Sequence, residues 1–302
     1  MRLDFHTLDV FTHIRFGGNP LAVVMDADDL SEAAMQAVAR EFNLSETAFV
    51  MRPADAANTA RLRIFTPTRE LPFAGHPTVG SAVLLAEMAH QEGDVFETTL
   101  RLEEKVGLVE VLVRRMGPEP AYGELTAAKL PEETGNAPDQ GAIAAALSLR
   151  KDDIGFSAHR PRLYAAGNEF VFVPLASRQA LARARVDSTA WSGVDGVGRV
   201  GAYLYCAGDG GTTDYHARLF APGDGIVEDP ATGSAAATMP GALKAAGALA
   251  EGVNAIVIAQ GEDMGRPSLI RLFAELEGGE IRKVRVGGQA VRVSQGQMET
   301  AP

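Results

Sequence analysis

Apolar positions in this chain fall into short runs and alternations, broken by two longer blocks that are apolar on nearly every side. Leu21 to Met25 is a short apolar run suited to a buried strand, and Thr47 to Met51 and Ala60 to Phe65 also read as strands. Between the first two, Asp28-Asp29-Leu30-Ser31 supplies helix-start chemistry, and Ala34, Met35, Val38 and Ala39 follow at helical spacing up to about Phe42. Thr78 to Ala89 carries Val79, Ala82, Val83, Leu84, Leu85 and Met88 with almost no polar face, which predicts a helix buried all round. Leu100 to Arg114 alternates like two strands with a turn near Gly107.

The second half repeats this plan. Helices are predicted over Ala142 to Leu149 and Ser177 to Arg185, and strands over Glu169 to Pro174, Val200 to Cys206 and His216 to Phe220. Ala235 to Leu249 is a second small-residue, apolar helix, with a kink or break expected at Pro240-Gly241. Ile270 to Val293 alternates as strands, and Gly117 to Asp139, rich in Pro, Gly and Glu, reads as the crossing between domains.

The halves also share motifs in the same order. Gly18-Asn19-Pro20 is echoed by Gly167-Asn168-Glu169, and both Ala60–Pro67 and His216–Pro222 are apolar strands ending in Phe-x-Pro. Each of those strands runs on to a polar-Pro step, His76-Pro77 or Asp229-Pro230, that opens a run of small residues. Strand-then-helix order without a βαβ rhythm predicts an α+β fold. The expected architecture is two pseudo-symmetric lobes, each a curved, mostly antiparallel sheet wrapped around a central helix. The boundaries expected are 1–118, with about 288–302 returning to that lobe, and 119–287. A duplicated fold has a natural cleft at its pseudo-twofold axis, where paired polar corners would make a site.

Composition narrows the function classes. At 302 residues and 46% apolar, the chain is long enough for two domains that each bury a core. No apolar run is long enough to cross a membrane, and Met1–His6 reads as an opening strand without the apolar stretch of a secretory signal. One cysteine, Cys206, cannot make an internal disulfide, which suits a reducing, cytoplasmic setting. A net charge of -11 argues against a nucleic-acid partner but leaves room for a small anionic substrate held by backbone N–H groups. Gly196-Val197-Gly198-Arg199-Val200-Gly201 matches a dinucleotide fingerprint, yet a strand rather than a helix is expected to follow it, so no nucleotide is predicted. The six histidines show no metal-ligand spacing, so no metal or other cofactor is predicted.

The two corners hold the candidate chemistry. Asp229-Pro230 is a favourable helix start, with Asp229 as N-cap and Pro230 in the first helical position. His76-Pro77 occupies the matching place, but His is a poor N-cap, which favours a functional role. Helix starts with Gly75 in one corner and Gly233-Ser234 in the other would offer free N–H groups to a substrate carboxylate. Glu46, at a loop-to-strand junction between apolar neighbours, becomes a general acid–base candidate if a cleft buries it, since desolvation raises a carboxyl pKa.

Gly18-Asn19-Pro20, Ser45-Glu46-Thr47-Ala48-Phe49-Val50, Phe65-Thr66-Pro67, Pro72–Gly80 and Glu228–Ala235 together resemble the PhzF phenazine-biosynthesis-like family, in the right order and over nearly the whole chain. The resemblance implies the diaminopimelate-epimerase-like fold, an isomerase, and a homodimer. It implies that Glu46 takes a proton from one substrate carbon and returns it to another, with His76, Asp229 and Ser234 lining the same site. Gly75 and Gly233 would bind substrate through backbone groups, and Asn19, in the first matched motif, is a further substrate-binding candidate. The best-known family reaction isomerises trans-2,3-dihydro-3-hydroxyanthranilate, but a shared fold does not transfer a substrate. Neither corner holds a thiol, which excludes the two-cysteine racemisation of related enzymes. The expected function is a cofactor-independent isomerase moving a proton on a small carboxylate. An epimerase or lyase-like use of Glu46, and a non-catalytic binding protein, are the alternatives.

Overall fold

The computed structural model describes residues 2–192 and 201–300. The chain divides into two compact units, one of residues 1–128 with 286–302 and one of residues 129–285. Strands far outnumber helices, and the fold class is α+β.

The first unit contains β1 (Arg2–Val10), β2 (Asn19–Val24), α1 (Glu32–Phe42), β3 (Glu46–Met51), β4 (Ala60–Phe65) and β5 (Glu70–Leu71). Then come α2 (Gly75–Ala89), β6 (Phe96–Glu104), β7 (Gly107–Arg115) and β8 (Tyr122–Thr126). β1 runs antiparallel to β2, β2 parallel to β3, and β3 antiparallel to β4. β4 pairs antiparallel with β5 and parallel with β6, and β6–β7–β8 is an antiparallel meander. The C-terminal segment returns to this unit and lies antiparallel along β1, with Val10 opposite Ala290 and Arg2 opposite Glu299. Every residue of α2 from Gly75 to Leu84 is buried, and the helix packs against β1, β2, β3, β6, β7 and β8. A helix so enclosed needs no polar face, which is why its sequence shows none.

The second unit contains β9 (Glu132–Gly135), α3 (Gln140–Ala146), β10 (Arg162–Ala166), β11 (Asn168–Pro174), α4 (Arg178–Arg183) and α5 (Ser188–Ser192). It continues through β12 (Gly201–Ala207), β13 (Tyr215–Ala221), β14 (Ile226–Asp229), α6 (Gly233–Ala245), β15 (Gly252–Gln260) and β16 (Ser268–Glu277). β17 (Glu280–Glu299) starts here and supplies the returning segment above. β10 runs antiparallel to β11, β11 parallel to β12, and β12 antiparallel to β13. β13 pairs antiparallel with β14 and parallel with β15, and β15 is antiparallel to β16. This is the pairing order of β1 to β7, with α6 in the place of α2.

The likeness extends to side chains. The Arg63 guanidinium lies 5.1 Å from the centre of the Phe65 ring and bonds both oxygens of Glu70 at 2.7 Å. That of Arg218 lies 4.8 Å from Phe220 and bonds both oxygens of Glu228 at 2.7 and 2.8 Å. In each case a bidentate pair ties a long strand to the short strand that precedes the buried helix, and the ring covers the guanidinium face.

Three details differ from the sequence expectation. Tyr122–Thr126, inside the predicted crossing, is a strand, because it completes the meander on β7. The second buried helix ends at Ala245, short of the expected Leu249, with Ala246 as its C-cap. Of the kink or break expected at Pro240, the break does not occur: α6 runs from Gly233 to Ala245 with Pro240 inside it. Burial of all residues from Gly233 to Leu243 outweighs the one hydrogen bond that Pro240 cannot donate. Close packing also explains two helical glycines. A Cβ on Gly80 would come within 2.6 Å of Leu21 and 2.7 Å of Val10, and one on Gly241 within 2.5 Å of the Tyr164 ring.

Candidate active site

The first corner is assembled from β2, β3 and α2. Gly18 adopts φ +62, and a Cβ there would collide with the Val10 carbonyl and Thr12. Only glycine lets the chain turn this close to β1 and enter β2 at Asn19, which sits opposite Val10. Leu21 of β2 is the parallel partner of Glu46, the first residue of β3. Side chains alternate along a strand, so Asn19, Leu21 and Glu46 share one face. That face meets α2, and His76, the second residue of α2, is set between the two polar side chains.

The result is a buried chain of three groups. Asn19 Nδ2 lies 3.2 Å from His76 Nδ1, and His76 Nε2 lies 3.5 Å from Glu46 Oε2. Asn19 is fully buried, while the side chains of His76 and Glu46 are 3% and 12% exposed, so the carboxylate is the end nearest solvent. Burial holds the His76 imidazole down to a pKa of about 3, so it is neutral at physiological pH. An amide N–H facing Nδ1 makes Nδ1 the acceptor and leaves the ring proton on Nε2, the nitrogen on the Glu46 side. This corner therefore presents a carboxylate beside an uncharged N–H donor.

The second corner lies at the junction of β14 and α6. Asp229 ends β14, opposite Leu219 in the ladder, and is buried. It is not the N-cap of α6. That position belongs to Thr232, because pairing with β13 holds Asp229 in the sheet and delays the helix to Gly233. The Thr232 hydroxyl instead donates to Asp229 Oδ2 at 2.5 Å. Gln260, fully buried at the end of β15, clamps the turn: its Nε2 donates to the Asp229 carbonyl at 2.8 Å, and its Oε1 accepts from the Thr232 N–H at 3.1 Å. Ser268 donates to the Pro230 carbonyl at 3.2 Å. The buried Tyr203 hydroxyl is held above its ordinary pKa by burial, with the Asp229 charge adding to the rise.

Helix positions correct the expected correspondence of the two corners. His76 is not at an N-cap: Ala74 caps α2, Gly75 is the first helical residue and His76 the second. In α6 those places are held by Gly233 and Ser234. The positional counterpart of His76 is thus Ser234, not Asp229. Pro77 is tolerated in the first turn of α2, where backbone N–H groups lack intrahelical partners. Gln260, Thr232 and Tyr203 escaped the sequence reading. Their only local signals are strand-end or turn positions, and it is pairing across the sheet that brings Gln260 to Thr232.

Most of the Gly196–Gly201 run lies outside the described residues, and Gly201 opens strand β12. Cys206 lies in that strand, buried, with burial pushing its thiol up to about 11. Among the described residues no group of three or more His, Cys, Asp or Glu side chains could hold a metal ion, and no helix is long and apolar enough to cross a membrane.

Residues 8–296 match the model of the phenazine biosynthesis-like protein family, and the chain belongs to that family. It is 45% identical over 296 residues to an uncharacterised isomerase of Mesorhizobium japonicum, covering 96% of each chain. It is 36% identical over 294 residues to trans-2,3-dihydro-3-hydroxyanthranilate isomerase of Pseudomonas fluorescens, covering 97% of this chain and 98% of that one. A solved structure of a predicted epimerase from Pseudomonas aeruginosa superposes with TM-score 0.80 at 34% identity, covering 99% of this chain and 100% of the other. The protein is an enzyme of the isomerase class.

Proposed function

We propose that this isomerase shifts a proton between two carbons of a small carboxylate-bearing substrate, without a cofactor, using Glu46 as the acid–base residue. The observation that carries this reading is the Asn19–His76–Glu46 chain, which sets a carboxylate beside a neutral donor at the edge of a buried polar path. A carboxylate so placed takes a proton from carbon and returns it, while the Nε2–H of His76 stabilises negative charge on Glu46 or on the substrate. The second corner contributes, on the family resemblance, Asp229 and Ser234 as substrate-contacting groups and Gly233 as a backbone donor, with Gly75 serving likewise in the first. Backbone N–H groups in the first turns of α2 and α6 suit a carboxylate. Two pseudo-symmetric lobes, each wrapped around its own buried helix, and a homodimer belong to the same reading.

The relative from Pseudomonas fluorescens makes trans-2,3-dihydro-3-hydroxyanthranilate the first substrate to test. Reaction in D₂O followed by NMR separates the possibilities. Deuterium arriving at a carbon other than the one that lost its proton supports the isomerase reading. Exchange at a single carbon with inversion would replace it with an epimerase. Binding of a carboxylate analogue with no exchange into any substrate tried would replace it with a binding protein.

A further inference from the structure

A second buried carboxyl group lies on β6, which packs against α2, outside the Asn19–His76–Glu46 chain. Glu104 ends β6, is buried, and places Oε1 2.6 Å from the hydroxyl of Thr78 on α2. The same hydroxyl lies 2.7 Å from the carbonyl oxygen of Ala74, the residue that caps α2 just before Gly75 and His76. Thr78 has one hydroxyl proton and sits at hydrogen-bond distance from two oxygens. A carbonyl and a carboxylate both only accept, so both contacts are hydrogen bonds only if Thr78 donates to Ala74 and Glu104 carries a proton itself. The Glu104 contact then needs a proton of its own, and a carboxylate has none.

We propose that Glu104 is a positioning residue that acts as a neutral carboxylic acid, donating to Thr78 so that Thr78 can donate to Ala74 and hold the first turn of α2, with His76 in register between Asn19 and Glu46. This rests on the reading that His76 serves the site. The surroundings agree with a neutral group. Burial pushes the Glu104 carboxyl up to about 8. The charged and titratable groups on the elements around it are engaged elsewhere or face solvent. Glu103 accepts from the Ala54 and Asp55 N–H groups and from Asn58, and Arg63 binds Glu32 and Glu70. Lys105 binds Glu70, Glu87 binds Arg115, and Glu124 accepts from Tyr122. His76 faces Asn19 and Glu46, while Arg61, Arg101 and Glu110 are exposed.

The test needs no substrate. In protein carrying ¹³C-carboxyl glutamate and ¹⁵N-histidine, the Glu104 signal is assigned as the one missing from Glu104→Gln. That signal is expected to titrate near pH 8, and the His76 ring nitrogens are expected to shift with the same midpoint. Gln at 104 keeps an N–H donor for Thr78, so its His76 ring signals should match the neutral-Glu104 state and show no step near pH 8. A Glu104 midpoint in the ordinary carboxylate range would overturn the neutral-acid assignment. A His76 ring that ignores the Glu104 titration would overturn the positioning role. Both readouts come from the free protein, so an absence of turnover would count against the proposed reaction and not against Glu104. In turnover, the wild type should lose activity as pH rises past about 8 and Glu104 ionises. Glu104→Gln should stay active without that decline, while Glu104→Leu should lower kcat about tenfold with little change in KM.

Discussion

His76 Nε2 stands 3.5 Å from Glu46 Oε2, and the ring that joins them to Asn19 is buried and neutral. A charged histidine here would pair with Glu46 and stabilise its ionised form. A neutral one carries no such bias, which suits the proposed exchange of a proton at Glu46 in both directions. Removing the titrating group while keeping the shape is the direct check. Glu46→Gln should lose about 10²–10⁴-fold in kcat and still bind a carboxylate analogue. Turnover near the wild-type rate would transfer the acid–base role to another residue, with His76 the next to test.

Asn19 decides which ring nitrogen carries the proton. Asn19→Asp replaces the donor facing Nδ1 with an acceptor, which should move the proton to Nδ1 or charge the ring. The expected cost is about 5–150-fold in turnover, the equivalent of one buried hydrogen bond left unmade. Histidine ¹⁵N shifts report the tautomer directly, and an unchanged pattern in Asn19→Asp would refute the assignment.

Burial of His76 also makes stability depend on pH. Its folded pKa is depressed to about 3 from an ordinary 6.5, so between those values the unfolded chain binds the extra proton. Stability from this group is complete above about pH 6.5 and falls as pH drops toward 3, by about 1.4 kcal/mol per pH unit at the steepest. Comparing denaturant melts of wild type and His76→Asn across pH 4–7 isolates the effect. Equal slopes for the two proteins would mean that the histidine titrates normally.

Asp229→Ala should destabilise through the lost acceptor of the Thr232 hydroxyl, not through a lost helix cap. A hydrogen bond to a charged group contributes about 1.5–3 kcal/mol, and Asp229→Asn should retain part of it. If Asp229→Ala melted like wild type, the Thr232 contact would carry no stability.

Gly80→Ala tests packing of the buried helix. Helix propensity alone favours Ala by about 0.8–1 kcal/mol. The added Cβ would sit 2.6 Å from Leu21 and 2.7 Å from Val10, and such overpacking typically costs about 1–3 kcal/mol. A net loss of stability is expected, and because Leu21 pairs with Glu46, a drop in kcat should accompany it. A more stable and fully active Gly80→Ala would show that β1 and β2 yield without cost.

The sequence alone determined the two buried helices, the strands that flank them, such as Ala60–Phe65 and Tyr215–Ala221, the repeated motif order and the residues of the first corner. Those depend on local signals: apolar periodicity, the Gly18 turn, and small residues opening the buried helices. Short or polar strands such as Glu70–Leu71, Tyr122–Thr126 and Arg162–Ala166 were not legible in it. Helix starts and partners were decided by tertiary structure. Asp229-Pro230 has the local chemistry of a helix start, but pairing of Asp229 opposite Leu219 keeps it in the sheet and gives the cap position to Thr232. Gln260 reaches Thr232 across 28 positions of chain, and Glu104 reaches Thr78 across 26. Nothing local marks either pair, because a buried polar residue finds its partner only when distant strands bring the two together. The same holds for the state of His76: its type was visible in the sequence, while its neutrality and tautomer follow from enclosure by α2 packing and from the one amide that faces it.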